Sequence, residues 1–147
     1  MVATWKRPES VLVVIATLAG EVLLLERREP RGFWQSVTGS LEWGETAPAA
    51  AARELQEETG LVAVPEDCAA TQRFPIVPPW RTRYAPEHTH NVEHVFRLIL
   101  PVRVDIHINP AEHADAAWLP RAVAVSRVSS WTNREAIERW APEANDA

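Results

Sequence analysis

Three carboxylates in this chain are spaced for chemistry. Glu54, Glu57 and Glu58 stand at i, i+3 and i+4, so on a helix they project from one face within an arc of about 100°. Like charges so placed destabilise a helix. A hard divalent cation resolves the conflict, because Mg²⁺ prefers carboxylate oxygens and bridges them to phosphates. Gly39, just upstream, permits close backbone approach, so its carbonyl can reach the same ion. A cation held there beside a phosphate could neutralise its charge and make a water nucleophilic. A solvated, charge-rich surface helix is the plain alternative, and it explains neither Gly39 nor Glu45 nor Arg53.

Local signals predict the elements that must hold these groups. Thr46 is a good N-cap, Pro48 falls in the first turn, and Gly60 supplies a left-handed stop. Leu55, Ala52 and Thr59 lie on another side of that helix and can pack on a sheet. Strands are expected at Val11–Ala16 and Val22–Glu26, turning at Ala19-Gly20, and at Trp34–Val37, which delivers Thr38 and Gly39. Leu61–Val64 reads as the start of another strand, broken at Pro65-Glu66-Asp67. Ala69–Val77 is extended, and an irregular segment follows from Pro78 to Asn91. Val92–Val104 reads as one strand interrupted at Pro101, or a pair. Beyond a loop at 109–114 come a short strand at Ala116–Leu119 and a helical turn at Pro120–Val125. The last segment, SSWTNREAIERWA, reads as a docking helix with serine and threonine caps, Ser130 among them and Thr132 with Glu135 as a candidate capping box. The tail 142–147 is expected to fray. Strands interleaved with two helices predict an α/β sandwich with a mixed sheet, as one domain over 1–147; the strand order is not legible.

Bulk composition narrows the function. At 147 residues and 46% hydrophobic the chain can bury a real core. A net charge of −5 argues against a phosphate-tracking nucleic-acid surface. Cys68 is the only cysteine, so no intrachain disulfide can form and a reducing cytoplasm fits. No apolar run approaches the ~18 residues of a membrane span. Lys6-Arg7 ahead of VLVVIATLAG has the look of a leader peptide, but β-branched enrichment and hairpin spacing favour strands. No membrane, nucleic acid or obligate protein partner is expected.

The pattern also has a family likeness. Gly39, five residues, Glu45, seven residues, Arg53-Glu54-Leu55, one residue, Glu57-Glu58, one residue, Gly60-Leu61 fits the Nudix box at every defined position. The chain therefore resembles the Nudix hydrolases. The resemblance implies a Nudix-type α/β/α sandwich, Mg²⁺ as cofactor with Mn²⁺ as a substitute, and Glu54, Glu57 and Glu58 as the catalytic, metal-holding glutamates. Arg53 then resembles an orienting residue that pairs with Glu45. A glutamate outside the box often completes such sites; Glu87, Glu93, Glu112 and Glu143 are candidates, and Glu112 is preferred for its loop position.

Further stretches, WKRPESVLVV, FWQSVTGSLEWGET, RTRYAP and SWTNREAIERW, resemble the branch of the family that acts on pterin triphosphates. That likeness implies hydrolysis of 7,8-dihydroneopterin triphosphate to the monophosphate and pyrophosphate. A broader nucleoside triphosphate hydrolase is the second reading. A non-catalytic nucleotide-binding module is the third, although such modules tend to lose box glutamates and all are present here. Lys6 and Arg27 are candidates for the polyphosphate, with Arg81 and Arg83 behind them. Thr38 adds a hydroxyl beside Gly39, and Phe74 or Trp34 could stack on a flat bicyclic ring. The resemblance also brings Ser130, Glu112 and Phe74–Val77 to the substrate. Zinc at His88, His90 and His94 is disfavoured, for want of a fourth ligand in pattern.

Overall fold

The strand Glu9–Thr17 (β1) is buried at every position after its first, which is the burial of a central strand covered on both faces. The computed structural model, which describes residues 5–78 and 80–143, builds outward from it. A turn at Gly20, with a φ of +82° that favours glycine, leads into β2 (Glu21–Arg27). Next come β3 (Trp34–Gln35), β4 (Val37–Ser40), α1 (Ala47–Thr59), β5 (Glu66–Pro75), β6 (His90–Leu100), β7 (His113–Pro120), α2 (Arg121–Arg127) and α3 (Trp131–Trp140). The sheet runs β3-β2-β1-β6-β5, with β4 also on β1 and β7 also on β2. Among the described residues only β1 and β6 are parallel, from Glu9↔Val92 to Thr17↔Leu100. The sheet is mixed, as expected.

Alternation along β1 divides the core. Val11, Val13 and Ile15 face α1 with Leu23, Leu25 and Phe96, against Ala51 and Leu55. Leu12, Val14 and Ala16 face the other way with Leu24 and Val95, against Ala124 of α2 and Ala136 and Ile137 of α3. This is the expected α/β/α sandwich. Antiparallel β4 takes the first half of β1, pairing Gly39 with Val11 and Thr38 with Leu12. Gly39 therefore faces α1, whereas Thr38 faces α3.

Several boundaries differ from the sequence reading. Leu61–Pro65 is irregular, and β5 starts at Glu66, inside the stretch expected to break a strand. An edge of β6 is available there, pairing Glu66 with Arg97, and a register shift between Asp67 and Ala70 absorbs the misfit. The turn expected near Pro120 is a full helix, so α-helices number three among the described residues, with one further 3-10 turn at Arg81–Arg83. The strand from 92 stops at Leu100, before Pro101. Of the serine and threonine caps expected for α3, Ser130 is the N-cap, and the capping box offered at Thr132 and Glu135 is not used. Residues 144–147, the end of the tail expected to fray, lie outside the described residues. Among the described residues no helix is long and apolar enough to cross a membrane.

Candidate active site

The acidic helix is fixed at both ends by the expected caps. Thr46 accepts a hydrogen bond from the Ala49 N–H, and the Gly60 N–H donates to the Gln56 carbonyl from a φ of +78°. Leu55 and Thr59, fully buried, dock it on the sheet. That docking turns Glu58 inward to 1% exposure and leaves the Glu57 side chain half exposed.

Arg53 ties the preceding loop to this helix. Its Nε and Nη2 each donate to Glu45 at 2.8 Å, its Nη1 donates to Glu54 at 2.8 Å and Glu57 at 3.3 Å, and Nη2 also reaches the Ser40 carbonyl. The fork on Glu45 is bidentate, the geometry for which guanidinium is suited. Arg53 holds the Glu45 carboxyl down at about 2. Arg7 adds hydrogen bonds to the Glu42 and Glu45 carbonyls, closing the loop onto the start of β1. Arg53 thus holds Glu45, Glu54 and Glu57 in one ion-pair network between loop and helix.

Behind Arg53 lies a pair of acids, of which Glu54 is held by Arg53 and Glu58 is unsatisfied. Both oxygens of Glu58 are buried without a hydrogen-bond partner. Burial, and then the adjacent Glu54 carboxyl, push Glu58 well above the ordinary carboxylate range; burial raises Glu54 as well. A Cβ at position 39 would overlap the Glu54 carboxylate, so only glycine lets that group lie on the β4 backbone. Orphaned acid oxygens beside a bare backbone fit a divalent cation, which supplies the missing positive charge. Among the described residues no three His, Cys, Asp or Glu side chains already form a cage. Glu54 and Glu58 are the pair the structure brings together, while Glu57 leans toward Arg53. Glu112, in the turn before β7, lies close enough that its charge acts on Lys6, Arg27 and Glu58.

One neighbour had no signal in the sequence. His113 is 3% exposed, and its Nε2 lies 3.5 Å from Glu58 Oε1. Burial, then the charge of Arg27, lowers it to about 4, so it is neutral near pH 7. The contact joins β7 to α1 across the fold, where no local spacing could announce it.

The other expected substrate residues divide between the two faces. Lys6 and Arg27 lie by the acids; burial and the nearby Arg83 lower both. The Lys6 N–H donates to the Arg83 carbonyl, and Arg27 sits over the Trp80 ring at 5.9 Å. Thr38 and half-buried Phe74 point to the α3 face, where Ser130 caps α3 and contacts Thr132 at 3.1 Å. Trp34 is packed in the core on that face, under Arg127. Of the other acids considered, Glu93 is buried on the α3 side, remote in orientation from Glu58, whereas Glu87 and Glu143 are exposed. His94 pairs with Glu9 at 3.0 Å and His90 with Thr89, so the three histidines do not converge on a metal among the described residues.

Comparison with known proteins agrees with this geometry. The NUDIX domain model matches residues 6–140. The chain is 46% identical over 142 residues to the dihydroneopterin triphosphate diphosphatase of Escherichia coli K12, covering 92% of this chain and 93% of that one. It is 39% identical to the Haemophilus influenzae protein of the same name, covering 92% and 89%. The solved structure of the E. coli dihydroneopterin triphosphate pyrophosphohydrolase superposes with a TM-score of 0.87 at 44% identity, over 95% of this chain and 98% of that one. With its box intact, its sandwich in place and relatives matched almost end to end, this chain belongs to the Nudix family of hydrolases.

Proposed function

We propose that this enzyme hydrolyses 7,8-dihydroneopterin triphosphate to dihydroneopterin monophosphate and pyrophosphate. The observation that carries the reading is the 46% identity to a diphosphatase of that name across 92% of the chain. Nudix hydrolases use divalent cations; Mg²⁺, with Mn²⁺ as a substitute, is the ion proposed here. Glu54, Glu58, Glu112 and the Gly39 carbonyl hold it, with Glu57 able to join by turning away from Arg53. The cation supplies charge neutralisation to the phosphates and Lewis acidity toward the attacking water. Lys6 and Arg27 bind phosphate oxygens, and their charge stabilises the negative charge that shifts to the leaving group. Arg53 keeps Glu54 aimed at Gly39 through the fork on Glu45. His113, neutral, backs Glu58 and excludes water from it. Thr38, Phe74 and Ser130 take the pterin half of the substrate across the end of the sheet. The reaction runs in the cytoplasm and needs no nucleic acid, membrane or protein partner.

The test is a substrate panel. kcat/KM for dihydroneopterin triphosphate should exceed that for dATP and dGTP by at least about tenfold. Nucleotides cleaved as well as the pterin would replace this reading with a general nucleoside triphosphate hydrolase.

A further inference from the structure

On the face of the sheet turned toward α3, four side chains form a two-by-two patch. β5 pairs with β6 so that Gln72 lies opposite Glu93, and Phe74 opposite Asn91; cross-strand partners share a face. Glu93 is 4% exposed and Asn91 2% exposed. Gln72 Nε2 donates to Glu93 Oε1 at 3.2 Å and to the Thr132 carbonyl at 3.1 Å. Asn91 Nδ2 donates to Ser10 Oγ at 2.7 Å. Those bonds engage both amides through nitrogen and leave their oxygens without partners: Asn91 Oδ1 and Gln72 Oε1 are buried and unpaired. Beside them is a carboxyl that no cation pairs with among the described residues, so that burial raises it to about 7.

Buried acceptors are almost always satisfied, and each exception calls for an explanation. Here two neighbouring amides each present an unpaired oxygen, Asn91 Oδ1 and Gln72 Oε1, beside the buried Glu93 carboxyl, whose Oε1 accepts from Gln72. The complement is a flat ligand edge rich in N–H and free of positive charge. A pterin carries such an edge in its 2-amino-4-oxopyrimidine half, where the ring N–H and the amine point the same way. Phe74 stands next in the patch to take the ring face.

We infer that Glu93, with Asn91 and Gln72, determines specificity for the ring by accepting the ring N–H and the 2-amino group. The inference rests on the pterin triphosphate reading. It also gives the two buried glutamates different roles, Glu58 at the phosphate end and Glu93 at the ring end. The ring enters at the seam between β5 and the first turn of α3, where Phe74 and Ser130 are half-buried.

The experiment compares pterin with lumazine, which carries oxygen in place of the 2-amino group, as competitive inhibitors of dihydroneopterin triphosphate cleavage. Turnover of that substrate by the wild type is measured first; its absence sinks the functional reading itself, separately from any result on ring preference. Wild type should bind pterin at least about tenfold more tightly than lumazine, the size expected for hydrogen bonds to a charged group. Glu93→Gln, isosteric and checked by thermal melting, should abolish that preference and lower kcat/KM for the pterin substrate. Its kcat/KM for dCTP, whose ring lacks this edge, should stay within about twofold. If Glu93→Gln folds poorly, Gln72→Met on the edge strand should reduce the preference in the same direction. Equal wild-type binding of pterin and lumazine, or a preference kept by the variant that folds, overturns the inference. So does an equal loss toward dCTP, which would mark Glu93 as a purely structural acid.

Discussion

Glu58 and Glu93 have almost no exposed surface, 1% and 4% respectively, yet they lie on opposite faces of one sheet in opposite company. Glu58 has acids on one side, Glu54 beside it and Glu112 nearby, and neutral His113 behind it, with no hydrogen bond to either of its own oxygens. Glu93 is surrounded by amides and hydroxyls, from Gln72, Asn91 and the first turn of α3. Burial raises the proton affinity of both. The difference lies in what would relieve them. A carboxylate among carboxylates needs a cation; a carboxylate among neutral groups, with spare oxygens around it, needs neutral donors. A molecule with a polyphosphate at one end and a donor-rich ring at the other satisfies both.

The comparison can be broken most sharply at Glu58. Glu58→Gln should leave the fold intact and lower kcat by at least about a hundredfold, as expected when electrostatic stabilisation of the transition state is lost. Near-normal turnover in steady-state assays would remove Glu58 from the metal site. Arg53→Lys comes next. It loses the bidentate grip on Glu45 and so frees Glu54, and the Mg²⁺ concentration for half-maximal rate should rise about 10- to 100-fold, the range seen when a ligand's supporting partner is removed. An unchanged Mg²⁺ dependence would reduce the Arg53–Glu45 fork to loop packing.

Arg27→Ala should raise KM by about tenfold and lower kcat less, because the side chain binds phosphate in the ground state as well as in the transition state. A KM equal to wild type would make Arg27 only a support for the Trp80 ring.

The smallest effect concerns stability against pH, and it sharpens the comparison from the Glu93 side. Between the ordinary carboxylate value of 4.5 and about 7 the folded chain holds a proton on Glu93 that the unfolded chain has released. Stability from this group is therefore complete below 4.5 and declines as pH rises through about 7. Glu93→Gln should flatten that limb, narrowing the difference in Tm between pH 5 and pH 8 by about 5 °C. Identical pH profiles for the variant and the wild type would contradict the assignment of that proton to Glu93.

What the sequence disclosed depends on the range of the interactions. The caps of α1 at Thr46 and Gly60 were legible because a cap is a contact between near neighbours. The Arg53–Glu45 pair was legible because the box places both on one loop-helix unit. The start of β5 was not, since Glu66 is held in a strand only by Arg97 of β6, on the far side of an irregular segment. The start of α3 was legible as a serine or threonine cap, again a contact between near neighbours, and Ser130 takes it by accepting from the Asn133 N–H. His113 and the two-faced division of the site depend on register: which of Thr38 and Gly39 faces α1 is fixed by β4 pairing with β1, and the separation of Glu93 from Glu58 by β1 pairing with β6.

Pyrophosphate release from dihydroneopterin triphosphate by chelator-stripped protein, titrated with Mg²⁺, probes the acid pair and the substrate together. The rate should be negligible without metal and rise to saturation as Mg²⁺ is added. Undiminished release in the presence of chelator, or none at any Mg²⁺ or Mn²⁺ concentration, would show that Glu54 and Glu58 do not serve this reaction.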